Sequence, residues 1–123
     1  LFRSDTCGFD VGDRVIVACY EVIRSHVEQN LTDPIIGRAG GDEFIIFAKA
    51  GLDEMKKAAA EIIDAISGFD FKSVGCPLPM GCYIGGLAGQ DKRLGEIRQM
   101  IELTIDSLQR AKEKGVNSAL IEG

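Results

Sequence analysis

The chain has 123 residues, of which 46% are hydrophobic and 27% charged, an ordinary globular composition that excludes disorder and suits one core but not two. Its formal net charge of -5, with no lysine- or arginine-rich run, denies it the basic footprint that a sequence-independent grip on DNA or RNA requires. No apolar run reaches membrane-spanning length and the first residues lack the three-part pattern of a signal peptide, so neither direct membrane contact nor export is expected.

In chain order, Val11, Val15, Ala18, Cys19, Val22, Ile23 and Val27 recur every three or four residues and predict a helix packed on a core. Asp10 is its expected N-cap, and the acids at 10 and 13 suit the positive end of the helix dipole. His26 falls at the edge of that buried face and reads as a partly buried packing histidine. Residues 30–34 (Asn, Leu, Thr, Asp, Pro) predict a loop. Ile35-Ile36 and the run from Phe44 to Phe47 predict two strands about Gly40-Gly41, a pair suited to the positive φ of a hairpin turn. The second of these strands is apolar on both faces and is expected to be central or doubly covered.

Residues 52–67 predict a second amphipathic helix with Gly68 as its C-cap. Brief alternation over 69–74 predicts a strand, broken by the Gly75-Cys76-Pro77-Leu78-Pro79 segment. Residues 81–87 predict another strand, whose glycines point to close backbone approach. Leu94, Ile97, Ile101, Ile105, Leu108 and Ala111 trace a third helix closed by Gly115, and 118–121 predict a last edge strand. This order argues for a mostly antiparallel sheet flanked by helices, an α+β fold in a single domain.

Cys7, Cys19, Cys76 and Cys82 form no CxxC pair and His26 is the one histidine, which argues against zinc. Reduced, mostly buried thiols in a cytoplasmic protein are expected.

The chemistry-bearing stretch is Gly37-Arg38-Ala39-Gly40-Gly41-Asp42-Glu43-Phe44. A tight turn needs the glycines but not the acids. Bare backbone at Gly40-Gly41 admits a polyphosphate. Glu43 can hold a divalent cation and Asp42, pointing the other way, can meet the reacting end of a substrate. Arg38 is a candidate phosphate or carboxylate partner. Hard oxygen donors favour Mg²⁺ or Mn²⁺ over zinc. From the residues alone, a surface hairpin with two solvated acids remains an equal alternative.

Gly40-Gly41-Asp42-Glu43-Phe44 is identical to the motif that names the GGDEF domains, the diguanylate cyclases. At average residue usage a given pentapeptide occurs by chance in roughly one chain in ten thousand of this length. Arg38 stands at the arginine of the family's RYGGDEF pattern. The run from Ser4 to Asp13 resembles ND-x-x-GH-x-x-GD, and Ala111-Lys112-Glu113-Lys114-Gly115-Val116-Asn117 resembles AK-x-x-GRN, so the resemblance spans nearly the whole chain.

The resemblance implies a nucleotidyl-cyclase-like fold with a ferredoxin-like core, a sheet of five strands wrapped by helices. It implies two facing copies, each holding one GTP, that form cyclic di-GMP and release pyrophosphate with Mg²⁺ or Mn²⁺, in bacterial second-messenger signalling. By the same carry-over Glu43 and Asp42 are the catalytic and metal-binding acids. Gly40, Gly41, Arg38, Ser4, Asp13 and Lys112 would bind the nucleotide, Ser4 and Asp13 at the guanine and Lys112 at the terminal phosphates. The family's other metal-binding aspartate belongs to a first strand that would precede Leu1, so the chain is expected to be N-terminally incomplete.

Three departures bear on activity: Ser4 replaces a guanine-reading asparagine, Phe9 the histidine of the GH pair, and Val116 a phosphate-holding arginine. Leu31 and Pro34 occupy the positions of the RxxD product-inhibition site, so feedback through that site is not expected. Ile105 and Gln109 stand where the last helix of the family usually carries Asp and Tyr. These changes suit an alternative, a catalytically degenerate GTP-binding regulatory module, such as one beside an EAL-type phosphodiesterase.

Overall fold

A computed structural model describes residues 9–40, 42–76, 80–88 and 97–122. Its elements run α1 (Phe9–Asn30), β1 (Thr32–Gly40), β2 (Glu43–Lys49), α2 (Leu52–Gly68), a 3-10 turn (Phe71–Val74), β3 (Ile84–Leu87), α3 (Ile97–Glu113) and β4 (Ala119–Glu122). The fold is α+β, as expected. Among the described residues the strands form two two-stranded sheets: β1 pairs antiparallel with β2, and β3 pairs parallel with β4. A parallel pair needs a long crossover, and α3 supplies it. Among the described residues no helix is long and apolar enough to cross a membrane.

The core is one cluster to which α1 gives Val15, Cys19, Ile23 and Val27, α2 gives Ile62 and Ile66, and the segment after α2 gives Phe71, Cys76, Met80 and Cys82. Spacings of three and four place these side chains on one stripe of each helix, which is why α1 and α2 pack together. Ile36, Phe44, Ile46 and Ile84 pack on the same cluster, so strands of both sheets lie against this helical layer. His26 is the packing histidine the sequence suggested. Its side chain is 16% exposed and its Nε2 lies 3.0 Å from a Glu61 carboxylate oxygen of α2, at ion-pair distance without hydrogen-bond geometry.

Several local expectations are corrected. α1 is already under way at Phe9, so Asp10 lies inside it rather than at its cap. The predicted loop at 30–34 shrinks because β1 starts at Thr32; its register with β2 breaks between Thr32 and Ile35, where Asp33 takes a left-handed φ of 48°. Such an irregularity is where a strand tolerates a proline, here Pro34. β2 is not doubly covered among the described residues: Phe44 and Ile46 face the core, while Phe47 on the other face is 37% exposed. Gly68 is the last helical residue of α2, and Phe69 caps it in an extended conformation.

The strand predicted over 69–74 is a 3-10 turn. The Asp70 carboxylate accepts from the Lys72 backbone N–H, the Ser73 hydroxyl donates to the Asp70 carbonyl, and Gly75 closes the turn at φ 94°. Local side-chain bonds of this kind compete with strand pairing.

Of the cysteines, Cys19 and Cys82 are free and buried, as expected, with burial pushing their thiols up to about 12 and about 11. Such thiols stay protonated and are poor nucleophiles. Cys76 is disulfide-bonded, against the expectation of reduced thiols throughout. Motif spacing tests only cysteines that are near in sequence, whereas a bridge made by the fold leaves no such signature.

α3 is fixed from two sides. Gly85 of β3 lies so close that a Cβ there would sit 2.1 Å from the Leu108 backbone nitrogen, which is the close approach its sequence context suggested. The buried stripe of α3 includes Ser107 and Ala111, whereas Ile105, predicted to be buried, is 53% exposed. Thr104 and Ser107 direct their hydroxyls to the carbonyls of Met100 and Leu103, one turn back, and so bring polar residues onto the packed side. Ser107 also lies 2.5 Å from Glu122 of β4, and Arg110 pairs with Glu122 and with Asp106.

Gly85→Ala is expected to force β3 and α3 apart and to cost about 1–3 kcal/mol, seen as a lower urea midpoint; an unchanged midpoint contradicts this packing. The hydrogen bond from Ser107, then the Arg110 guanidinium, hold the Glu122 carboxyl below the usual glutamate range. A carboxylate whose folded pKa is depressed stabilises the fold above its unfolded pKa, and the contribution fades as pH falls through the folded pKa. Wild type is therefore expected to outlast Glu122→Gln in urea at neutral pH, with the gap narrowing below about pH 4. A gap that widens on acidification refutes the assignment.

Candidate functional site

The site expected at the hairpin is built by its register. Ile36↔Ile46 and Arg38↔Phe44 are opposed pairs, and Gly40↔Glu43 closes the ladder after an irregularity at 38–40. The chain reverses between Gly40 and Glu43, with Asp42 in the turn. Gly40 has φ 153°, a backbone that side-chain-bearing residues rarely adopt, and a Cβ there would meet nothing within 4 Å. Conformation, not crowding, is therefore what calls for glycine at the tip. Gly41 and Ser4, both predicted to contact the nucleotide, lie outside the described residues.

Opposed residues in an antiparallel pair share a face, so Arg38 shares the face of Phe44. That face looks toward α1, whose Tyr20 ring packs against Phe44 with centroids 5.7 Å apart. Asp13 lies seven residues before Tyr20 on α1, which places it on a similar face and roughly 10 Å along the axis. It is exposed and lines a shallow groove with Arg14, Val17, Ala18 and Val74. Arg38 and Asp13 thus belong to the α1 side of the hairpin.

Glu43, adjacent to Phe44 in β2, points to the other face. There Lys112 from the last turn of α3 brings its Nζ to 3.8 Å from the Glu43 carboxylate, with side-chain exposures of 38% and 50%. The fold therefore joins two predicted site residues from opposite halves of the chain. Glu43 and Asp42 supply hard carboxylate oxygens at an open tip, and among the described residues no group of three or more His, Cys, Asp or Glu side chains could hold a metal. Two carboxylates fit a cation that keeps several waters and takes its remaining ligands from phosphates, as Mg²⁺ does. A surface groove of about 460 Å³ between α1 and α2, around His26 and Phe69, includes none of the predicted residues.

Asn117 is a site-shaping residue that sequence reasoning missed. Its backbone N–H donates to the Cys82 carbonyl (2.9 Å) and its Oδ1 accepts from the Cys82 N–H (3.1 Å), with φ at 62°. A Cβ on Gly81 would lie 2.5 Å from that Oδ1. This clamp ties the end of the Lys112 segment to the start of the β3 region. An Asn shortly after a helix-closing glycine was the available signal, since Asn tolerates the left-handed conformation and bonds nearby backbone. Val116 beside it is 49% exposed.

A family model described as Diguanylate cyclase, GGDEF domain, matches residues 3–118. No curated protein and no solved structure gave a match.

Asn117→Ala leaves the Cys82 N–H without its acceptor and places a poorly suited residue at positive φ, so a loss of about 1–3 kcal/mol in urea unfolding is expected. Stability equal to wild type rules out the clamp.

Proposed function

This chain belongs to the GGDEF family, the diguanylate cyclase domains, and on that premise we propose that it condenses two GTP molecules into cyclic di-GMP. The observation that carries this reading is the convergence of Lys112 and Glu43 at the hairpin tip. A triphosphate needs a lysine for its terminal phosphates and a carboxylate for the accompanying cation, and these are the two groups brought within 3.8 Å.

In this reading each domain holds one GTP, and two copies face each other. Gly40 and Gly41 let the phosphates approach the backbone. Asp13 accepts from the guanine edge, Ser4 makes a single hydrogen bond there, and Arg38 pairs with phosphate or carboxylate at the tip. Glu43 and Asp42 would hold Mg²⁺ or Mn²⁺, which would supply neutralisation of the phosphate charge. The 3′-oxygen of one GTP bonds to the α-phosphorus of the other, the bond from that phosphorus to the bridging oxygen breaks, and pyrophosphate leaves. In this reading Asp42 receives the hydroxyl proton. Catalysis of this kind is mostly positioning and electrostatic stabilisation. The presumed substrate is intracellular, which puts the proposed activity in the cytoplasm.

A second reading is favoured by Val116, an exposed apolar side chain where the family carries a cation, together with Ser4. Losing one charge-assisted and one neutral contact weakens GTP binding about a hundredfold or more. The domain would then act as a GTP-binding regulatory module.

The wild-type product separates these readings, and Glu43→Gln tests the metal assignment, because it keeps the shape and removes the charge. With GTP and Mg²⁺ or Mn²⁺, wild type is expected to yield cyclic di-GMP by chromatography. The variant is expected to yield none while its circular dichroism is unchanged. Cyclisation that persists in the variant overturns the metal assignment. Wild type that binds GTP but makes no product establishes the regulatory reading.

A further inference from the structure

Lys112 and Glu43 pair across the hairpin tip, and the pairing is set by the fold. The stem of Lys112 follows Ala111, which is fully buried, and α3 cannot slide because Gly85 sits against its backbone and Ser107 is bonded to β4. Glu43 is held by its register with Gly40. Both heads are partly exposed and 3.8 Å apart, close enough to attract and loose enough to part.

We propose that Lys112 competes with the divalent cation for Glu43, the protein's own ammonium group neutralising that carboxylate until a cation displaces it. This rests on the reading of Glu43 as the cation's carboxylate. A cation arriving alone must displace Lys112. When a triphosphate arrives as well, Lys112 transfers to the phosphates and leaves the carboxylate to the cation. Each ligand then favours the other, as linkage requires. The consequence is a site that discriminates against metal without nucleotide.

The test is Mn²⁺ binding without nucleotide, followed by electron paramagnetic resonance of the free ion at low ionic strength. Exposed pairs of this kind lead us to expect Mn²⁺ to bind Lys112→Met about 2–5-fold more tightly than wild type. Lys114→Met removes the same charge two residues away and is expected to leave the affinity near the wild-type value. Equal or weaker binding by Lys112→Met, or equal tightening by Lys114→Met, overturns the competition while leaving Glu43 as a ligand. Mn²⁺ binding that is absent, or untouched by Glu43→Gln, overturns the metal assignment and the competition with it.

Discussion

The close approach of β3 to α3 sets the position of nearly everything that matters at the hairpin. Gly85 has no side chain to hold the helix away, so Leu108 lies against the strand backbone. That contact fixes the axis of α3, and the polar triad of Ser107, Arg110 and Glu122 fixes its rotation against β4. With axis and rotation set, the last turn of α3 points Lys112 at the hairpin tip. A separation of 3.8 Å between residues from opposite halves of the chain is thus a product of core packing. It does not depend on the weak attraction of the two charges themselves.

The hairpin divides its labour by face. Arg38 and Phe44 lie toward α1, and Glu43 toward α3, with the positive φ of Gly40 letting the chain reverse between them. Because one face packs through Tyr20 and the other reaches Lys112, the tip is supported by both α1 and α3. The proposed nucleotide would bridge these supports, its base on the α1 side and its phosphates on the α3 side.

Long periodic segments were legible in the sequence because burial of a helix stripe imposes a spacing that composition cannot mask. α1, α2 and α3 lie where their apolar residues recur, and the hairpin lies where glycines separate two apolar runs. What escaped was decided by contacts distant in sequence or by single hydrogen bonds. Ile105 fits the apolar period of α3 yet faces outward, because Thr104 and Ser107 hide their hydroxyls on carbonyls one turn back. The stretch from Phe71 to Val74 alternates like a strand but is folded by the Asp70 carboxylate. The Asn117 clamp on Cys82 joins segments that no local window contains. At the site, the motif residues could be named from sequence, while the pairing of Lys112 with Glu43 needed the packing of α3.

The irregular start of β1 has a bearing on solubility. Strands with a free edge invite neighbours to add on, and an uninterrupted row of backbone donors and acceptors is what makes such addition productive. In β1 that row is broken early: Pro34 has no N–H, Asp33 turns out of the extended region, and its carboxylate is held 3.1 Å from Lys49 across the hairpin. Among the described residues β1 pairs only with β2, and its other edge is in this way kept from zipping sideways onto another of its kind.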